Sequence, residues 1–392
     1  MAIPALHTVG EEDLILRYFK DDYTYEDICK FLHLRHGINL TMDQLRKRLK
    51  RMGLQRRDKN GQTSFEEVEA AIKKEREVSG NCIGYRILHK RLKEKHSLRV
   101  GRNVVMMLSA LDNPEGAAAR KGKKLKRRIY HSKGPDYIWH CDGYDKLKPY
   151  GFAIHGCIDG YSRRILWFHV SPSNNDPYII AGYYLNCVEK LAGCPTILRT
   201  DRGTENTNIA FLQPFLRDQH DDPFAKEKSF MYGRSTSNQR IEAWWGQLRK
   251  NAAQWWMDYF KALRESGELD DSSEYHIDCL RYCFMDLIQA ELDYVAHEWN
   301  IHRIRPSNYN PGGIPDKLYF LPEDEGTRSY RHTVSSDDVE SAREWSVTKP
   351  CSVPKEFTDL AEHVMSEDNI SKPTNADEAI VLYKHLKSVL SC

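Results

Sequence analysis

The sequence predicts an α/β core behind an all-α front end, and three observations carry that prediction. Up to about residue 112, apolar residues recur at helical spacing between capping signals; from Asp136 the chain turns to short apolar runs separated by polar turns, the pattern of strands. The charge divides at the same place: a net +2 hides 30 Lys/Arg against 17 Asp/Glu over residues 1–135, and 28 against 39 over the remainder. Finally, acids stand at the ends of two strand-like runs and one turn into a later helix.

A chain of 392 residues with 40% hydrophobic content builds two or three ordinary domains of roughly 100–200 residues each. No apolar run approaches the ~18 residues of a membrane span, and the Met-Ala-Ile-Pro-Ala-Leu-His start lacks the charged-then-apolar pattern of a signal peptide. Ten cysteines without a C-x-x-C pair read as reduced thiols of a cytosolic or nuclear protein. Cys279 and Cys283, at helical spacing without companion ligands, read as core packing. The His33/His36 pair has no partnered cysteines for a zinc module.

Residues 1–60 read as a helix-turn-helix DNA-binding unit. Glu11–Phe19 is a first helix, Thr24 is the N-cap of a second with an Ile28/Phe31/Leu32 stripe, and Gly37 breaks it. Thr41-Met-Asp-Gln44 is a capping box that opens a third helix. Its Leu45, Leu49 and Met52 face inward, and Arg46, Lys47, Lys50 and Arg51 face out as candidate DNA contacts. A charged surface helix on a small bundle is the alternative. Residues 61–118 give a second unit of this kind: a Ser64–Glu67 capping box and helix, a helix from Gly84 to Lys95, and a last helix with Val104, Leu108 and Leu111 on its apolar face. Residues 119–134 form a basic linker. Its Lys123, Lys124, Arg127 and Arg128 suit phosphate contact or nuclear localisation, and a plain linker is the third option.

In the core, residues 135–313, strands are expected at 137–142, 150–159 and 164–170, then a helix over 177–191 with Pro177 in its first turn. The next strand, 195–201, should run parallel to the first because a helix connects them. A short helix over 211–217, a mobile loop over 218–236 and a long helix from Asn238 to about Leu263 follow. The long helix should bury Ile241, Trp245, Leu248, Ala252, Trp255 and Tyr259. Residues 271–300 form another helix, with Cys279, Cys283, Leu287, Glu291, Tyr294 and Glu298 along one side. Residues 314–392 make an acidic extension, 15 Asp/Glu against 9 Lys/Arg, that ends in an amphipathic helix over 377–390 for packing or dimerisation.

The chemistry is expected at Asp142, Asp201 and Glu242. Crowded carboxylates raise one another's pKa, and a fold tolerates them when a cation neutralises them. Two strand-end acids and one helical acid could converge on a pair of Mg²⁺ ions that clamp both oxygens of a phosphoryl displacement. Each acid alone also reads as an ordinary strand-end or surface carboxylate. Asp145 reads as a turn residue and Asp159 as a turn cap with Ser162; Glu205 follows Asp201 closely.

From about Pro135 to Phe320 the chain resembles the catalytic core of retroviral-type integrases and DDE transposases. The features that carry the resemblance occur in the expected order: the strand ending in Asp142; the next strand followed by Gly-Tyr-Ser-Arg-Arg; Thr-Asp-Arg-Gly-Thr-Glu-Asn from Thr200; Asn-Gln-Arg-Ile-Glu from Asn238; and the tail from Trp299-Asn300 through Arg305-Pro306 to Pro315. The resemblance implies an RNase H-like fold, a mixed five-stranded sheet flanked by helices. It implies Asp142, Asp201 and Glu242 as catalytic metal ligands for Mg²⁺ (or Mn²⁺), two ions per active site, and no small-molecule cofactor. The nucleophile would be metal-bound water or a DNA 3′-hydroxyl. Arg249, two turns past Glu242, would grip element-end DNA, with Asn206 and Asn238 as phosphate or base contacts and Trp244 able to stack on a splayed base. Relatives often carry a basic residue where Gly246 stands, and the 40 residues between Asp201 and Glu242 exceed the retroviral gap. The implied function is DNA strand cleavage and strand transfer by an enzyme of mobile-element origin. Its partners would be DNA, as element ends and target, and further copies of itself, since two ends are joined in concert; no membrane is involved. It would work in the nucleus, or in the cytoplasm if prokaryotic or in transit. The alternatives are a domesticated, non-catalytic DNA-binding protein that retains the fold and a plain RNase H-like nuclease.

Overall fold

The computed structural model describes residues 10–56, 63–77, 83–112, 130, 132–233, 238–306 and 312–390. Lys123, Lys124, Arg127 and Arg128 lie outside the described residues. The chain forms two compact units, Met1–His131 with Ile301–Arg328, and Ser132–Asn300 with Ser329–Cys392.

The first unit is helical. Its N-terminal group comprises α1 (Glu11–Lys20), α2 (Tyr25–His36) and α3 (Met42–Arg51). Thr24 accepts from the Asp27 backbone N–H to cap α2, and Gly37 ends it at φ 68°, a left-handed conformation that suits glycine. Thr41 and Gln44 form the expected reciprocal capping box. Leu14, Ile15, Tyr23, Ile28, Phe31, Leu32, Leu45 and Leu49 make one core, which Ile301 and Leu321 complete. Residues 301–328, which the sequence reading divides between core and extension, therefore pack with this helical group. A second group, α4 (Phe65–Glu77), α5 (Tyr85–Glu94) and α6 (Arg102–Asp112), closes over Val68, Ile72, Ile83, Leu88, Leu92 and Val105. In α6 the buried face runs through Val105 and Ser109, and Leu111, expected on that face, is 72% exposed.

The second unit is built on a five-stranded mixed sheet whose strands lie side by side in the order Ile165–Ser171, Ala153–Asp159, Ile138–Tyr144, Ile197–Thr200 and Phe230–Tyr232. Its strands are β1 (Ile138–Tyr144), β2 (Ala153–Asp159), β3 (Ile165–Ser171), β5 (Ile197–Thr200) and β6 (Phe230–Tyr232); β4 (Gly193–Cys194) pairs separately with β7 (His332–Thr333). β1, β2 and β3 form an antiparallel meander, and β5 runs parallel to β1 as expected from its helical connection. The period of two along β1 divides its side chains between two cores. Trp139 and Cys141 join Cys157, Trp167 and Leu198 beneath helices Pro177–Leu191 and Thr207–Leu216. Tyr144 joins Ile154, Ile158 and Phe168 in the core that includes Trp244, Trp245 and helix Glu274–Asn300. Asp142 stands two residues before Tyr144 and so shares its face. The C-terminal helices Lys355–Glu367 and Ala376–Leu390 pack into this second core through Ala361, Val364, Leu382, Tyr383 and Leu386.

Three expectations are corrected. Residues 218–236 are not one loop: they include a 3-10 turn over Lys226–Ser229 and β6, which pairs parallel with β5; residues 234–237 lie outside the described residues. The helix from Asn238 is also not uniform. It runs as Gln239–Leu248, a π turn at Arg249–Ala253, and Gln254–Glu265. A π turn adds a residue to the repeat, so the stripe shifts by one: beyond it Trp256 and Phe260 are buried and Trp255 and Tyr259 are only half-buried. Likewise, helix Glu274–Asn300 centres its buried side on Leu280, Cys283, Phe284, Ile288, Leu292 and Val295, with Leu287, Glu291 and Tyr294 at the margin.

Candidate active site

Asp142 lies within β1, two residues before its end, opposite Gly156 of β2. Asp201 directly follows β5, the strand parallel to β1. Glu242 sits in the first turn of helix Gln239–Leu248, where the positive helix end favours a carboxylate. That helix is pinned to β1 by Asn238, whose Nδ2 donates to the Cys141 carbonyl at 2.7 Å. Because that nitrogen donates, the Asn238 Oδ1 must accept, and His140 Nδ1 donates to it at 2.7 Å. His140 is fully buried, and burial pushes its pKa down to about 3, so the ring is neutral. Two residues on from Asn238, Arg240 Nε donates to the Gly160 carbonyl at 2.9 Å. These bonds hold the head of the helix against β1 and the β2–β3 turn.

The three carboxyls share one electrostatic neighbourhood. Burial pushes Asp142 up to about 7; Glu242 and Asp201 push the same way, and a hydrogen bond from Trp245 opposes them. Glu242 is likewise raised, by burial and then by Asp201. Glu205, in the 3-10 turn after Asp201, is raised by burial and by Asp201 and Asp145. Asp159 is different: it is fully buried at the β2–β3 turn, where it accepts from the Asp136, Tyr161 and Ser162 backbone N–H groups and the Ser162 hydroxyl, so it caps the turn. Asp145 lies on an exposed turn and accepts from Asn174 Nδ2 at 2.8 Å.

A repelling set of oxygen donors suits a hard divalent cation. Among the described residues, however, no three His, Cys, Asp or Glu side chains are spaced to enclose an ion by themselves. The two facts agree for magnesium, which typically takes one or two carboxylates and completes its shell with water and substrate phosphate. The donor set therefore fits a cation that shares its shell with a phosphate-bearing substrate.

Two residues expected to touch DNA are placed otherwise. Asn206 is 1% exposed and donates from Nδ2 to Asp201 Oδ1 at 3.1 Å and Glu205 Oε1 at 2.8 Å; Asn238 is fully buried in the bonds just given. Both serve the fold of the site. Each stands immediately before a helix, yet neither side chain caps it; the partners are set by tertiary contacts. Trp244 is also core, 2% exposed, packed on Phe168 and Trp299. Sequence reasoning missed the role of Trp245, whose Nε1 donates to Asp142 Oδ2 at 2.9 Å. Arg249 is exposed at the start of the π turn and donates to Gln254 Oε1. Arg46, Lys47, Lys50 and Arg51 are all exposed on α3.

An antiparallel 3-2-1 meander extended by parallel strands, with acids on β1, after β5 and on helix Gln239–Leu248, defines an α/β domain of the RNase H-like class. In agreement, residues 129–321 match the family model of the integrase core domain. A search of curated proteins returned no match.

Proposed function

We propose that the protein is an integrase- or transposase-like polynucleotidyl transferase that binds DNA and catalyses strand cleavage and strand transfer. The observation that carries this reading is the electrostatic convergence of Asp142, Asp201 and Glu242 within an integrase core. Asp142, Asp201 and Glu242 would hold Mg²⁺ or Mn²⁺, two ions per site, which supply charge neutralisation at the phosphate and activation of the attacking oxygen. The neutral, buried His140 and Asn238 fix the helix that carries Glu242. Asn206 and Trp245 restrain the two aspartates. Arg249 would meet a DNA phosphate. Arg46, Lys47, Lys50 and Arg51 give the all-α front end a basic face for duplex DNA, through contacts that weaken with salt. Joining two ends in concert calls for more than one copy of the chain, and work on chromosomal DNA calls for the nucleus. Among the described residues no helix is long and apolar enough to cross a membrane.

The test is Asp201→Asn in a Mg²⁺- or Mn²⁺-dependent nicking and strand-transfer assay on candidate element ends. The variant should lose nicking and joining and keep its affinity for DNA; a variant that still nicks refutes the assignment.

A further inference from the structure

Asp142 and Asp201 sit on different strands but are held in the same manner. Each has one named oxygen occupied by a buried, uncharged N–H donor: Trp245 Nε1 on Asp142 Oδ2 at 2.9 Å, and Asn206 Nδ2 on Asp201 Oδ1 at 3.1 Å. A backbone N–H group adds to this, Gly203 on Asp201 Oδ1 at 3.4 Å. Among the described residues no second side-chain donor reaches either carboxylate. The choice of donor matters. A lysine or arginine would cancel the carboxylate charge and compete with a cation, whereas an indole or an amide orients the group and leaves its charge in place.

The surroundings hold both donors still. Trp245 is 7% exposed and packs against Tyr144 and Phe168 at ring-centroid distances of 5.2 and 5.5 Å. Its approach depends on the residue opposite Asp142: a Cβ on Gly156 would lie 2.2 Å from Phe168 and 3.0 Å from Trp245. Glycine therefore leaves the space in which the indole lies over the sheet and reaches Asp142. Asn206 is buried at the head of helix Thr207–Leu216, and its Nδ2 also holds Glu205 at 2.8 Å, which keeps a further carboxylate from swinging freely beside Asp201.

We propose that Trp245 and Asn206 are positioning residues, each locking one aspartate by a single oxygen so that the other is presented toward Glu242 and a divalent cation. This rests on the metal-dependent reading of the site. Losing such an outer partner commonly costs about 10–100-fold in metal affinity or activity.

The test uses the full chain, with Trp245→Phe removing the N–H but keeping an aromatic ring, and Asn206→Ala removing the amide. Mn²⁺ uptake is titrated by electron paramagnetic resonance in the presence of a short DNA duplex, with uptake by the duplex alone subtracted and thermal unfolding in EDTA recorded alongside. The wild type should take up Mn²⁺ and Asp201→Asn should not. Each positioning variant should bind roughly tenfold more weakly or worse, Trp245→Phe should melt close to the wild type, and excess Mn²⁺ should restore its nicking rate. Variants that bind Mn²⁺ as tightly as the wild type overturn the proposal and leave the metal reading standing. A wild type that takes up no Mn²⁺ brings down both.

Discussion

Replacing Asp142 by asparagine should stabilise the cation-free protein, and more so as pH rises. In the native state burial and two neighbouring acids hold this carboxyl at about 7, against its ordinary 3.8. Below pH 4 the native and unfolded chains both keep the proton and the substitution changes little. Between about 4 and 7 the unfolded chain gives up its proton while the native chain retains it, so wild-type stability declines through this window; above 7 the loss is complete. At about 1.4 kcal/mol per tenfold change in acidity constant, the displacement sets a ceiling of about 4 kcal/mol. Solvent reaching the half-buried carboxyl reduces this to about 2 kcal/mol, or about 5 °C in melting temperature for a unit of this size. The assay is thermal unfolding of wild type and Asp142→Asn in EDTA from pH 4.5 to 8. The gap should widen up to about pH 7 and then level. A gap that is independent of pH, or that shrinks as pH rises, would show that Asp142 does not sit among unneutralised acids.

Two further outcomes follow from the structure. Asn238→Ala removes two buried hydrogen bonds, to the Cys141 carbonyl and from His140 Nδ1, and should cost about 2–4 kcal/mol, read by denaturant unfolding. DNA affinity measured where the variant is still folded should barely move, in contrast to the loss expected of a DNA contact. Lys47→Ala combined with Arg51→Ala should lower the slope of log affinity against log salt by about 2 if both meet phosphates; an unchanged slope assigns DNA binding to another surface.

Much of this arrangement can be read in the linear chain. The capping signals at Thr24 and Thr41 and the apolar runs of β1, β2 and β3 identify their elements because the cause is local. Other features have causes that lie elsewhere in the chain. Phe230-Met-Tyr232 is too short to carry a period and is a strand because β5 offers it an edge. The π turn at Arg249–Ala253 is invisible to a repeat count, which therefore places Trp255 and Tyr259 in the core where the structure buries Trp256 and Phe260. The acid trio can be found from its flanking sequence, but its supports cannot. Asn206 and Asn238 look like polar residues available to DNA until tertiary contacts show their amides occupied, and the partnership of Trp245 with Asp142 spans 103 residues. Residues 301–328 read partly as the core and partly as the acidic extension, yet Ile301 and Leu321 complete the core formed by α1, α2 and α3.

The most direct measurement is the anomalous X-ray signal of Mn²⁺ soaked into crystals of the full chain. Density contacted by the carboxylates of Asp142 and Asp201, with Glu242 beside it, is the predicted result. Manganese bound only elsewhere, or an acid site that stays empty at high Mn²⁺ in the presence of DNA, would contradict it.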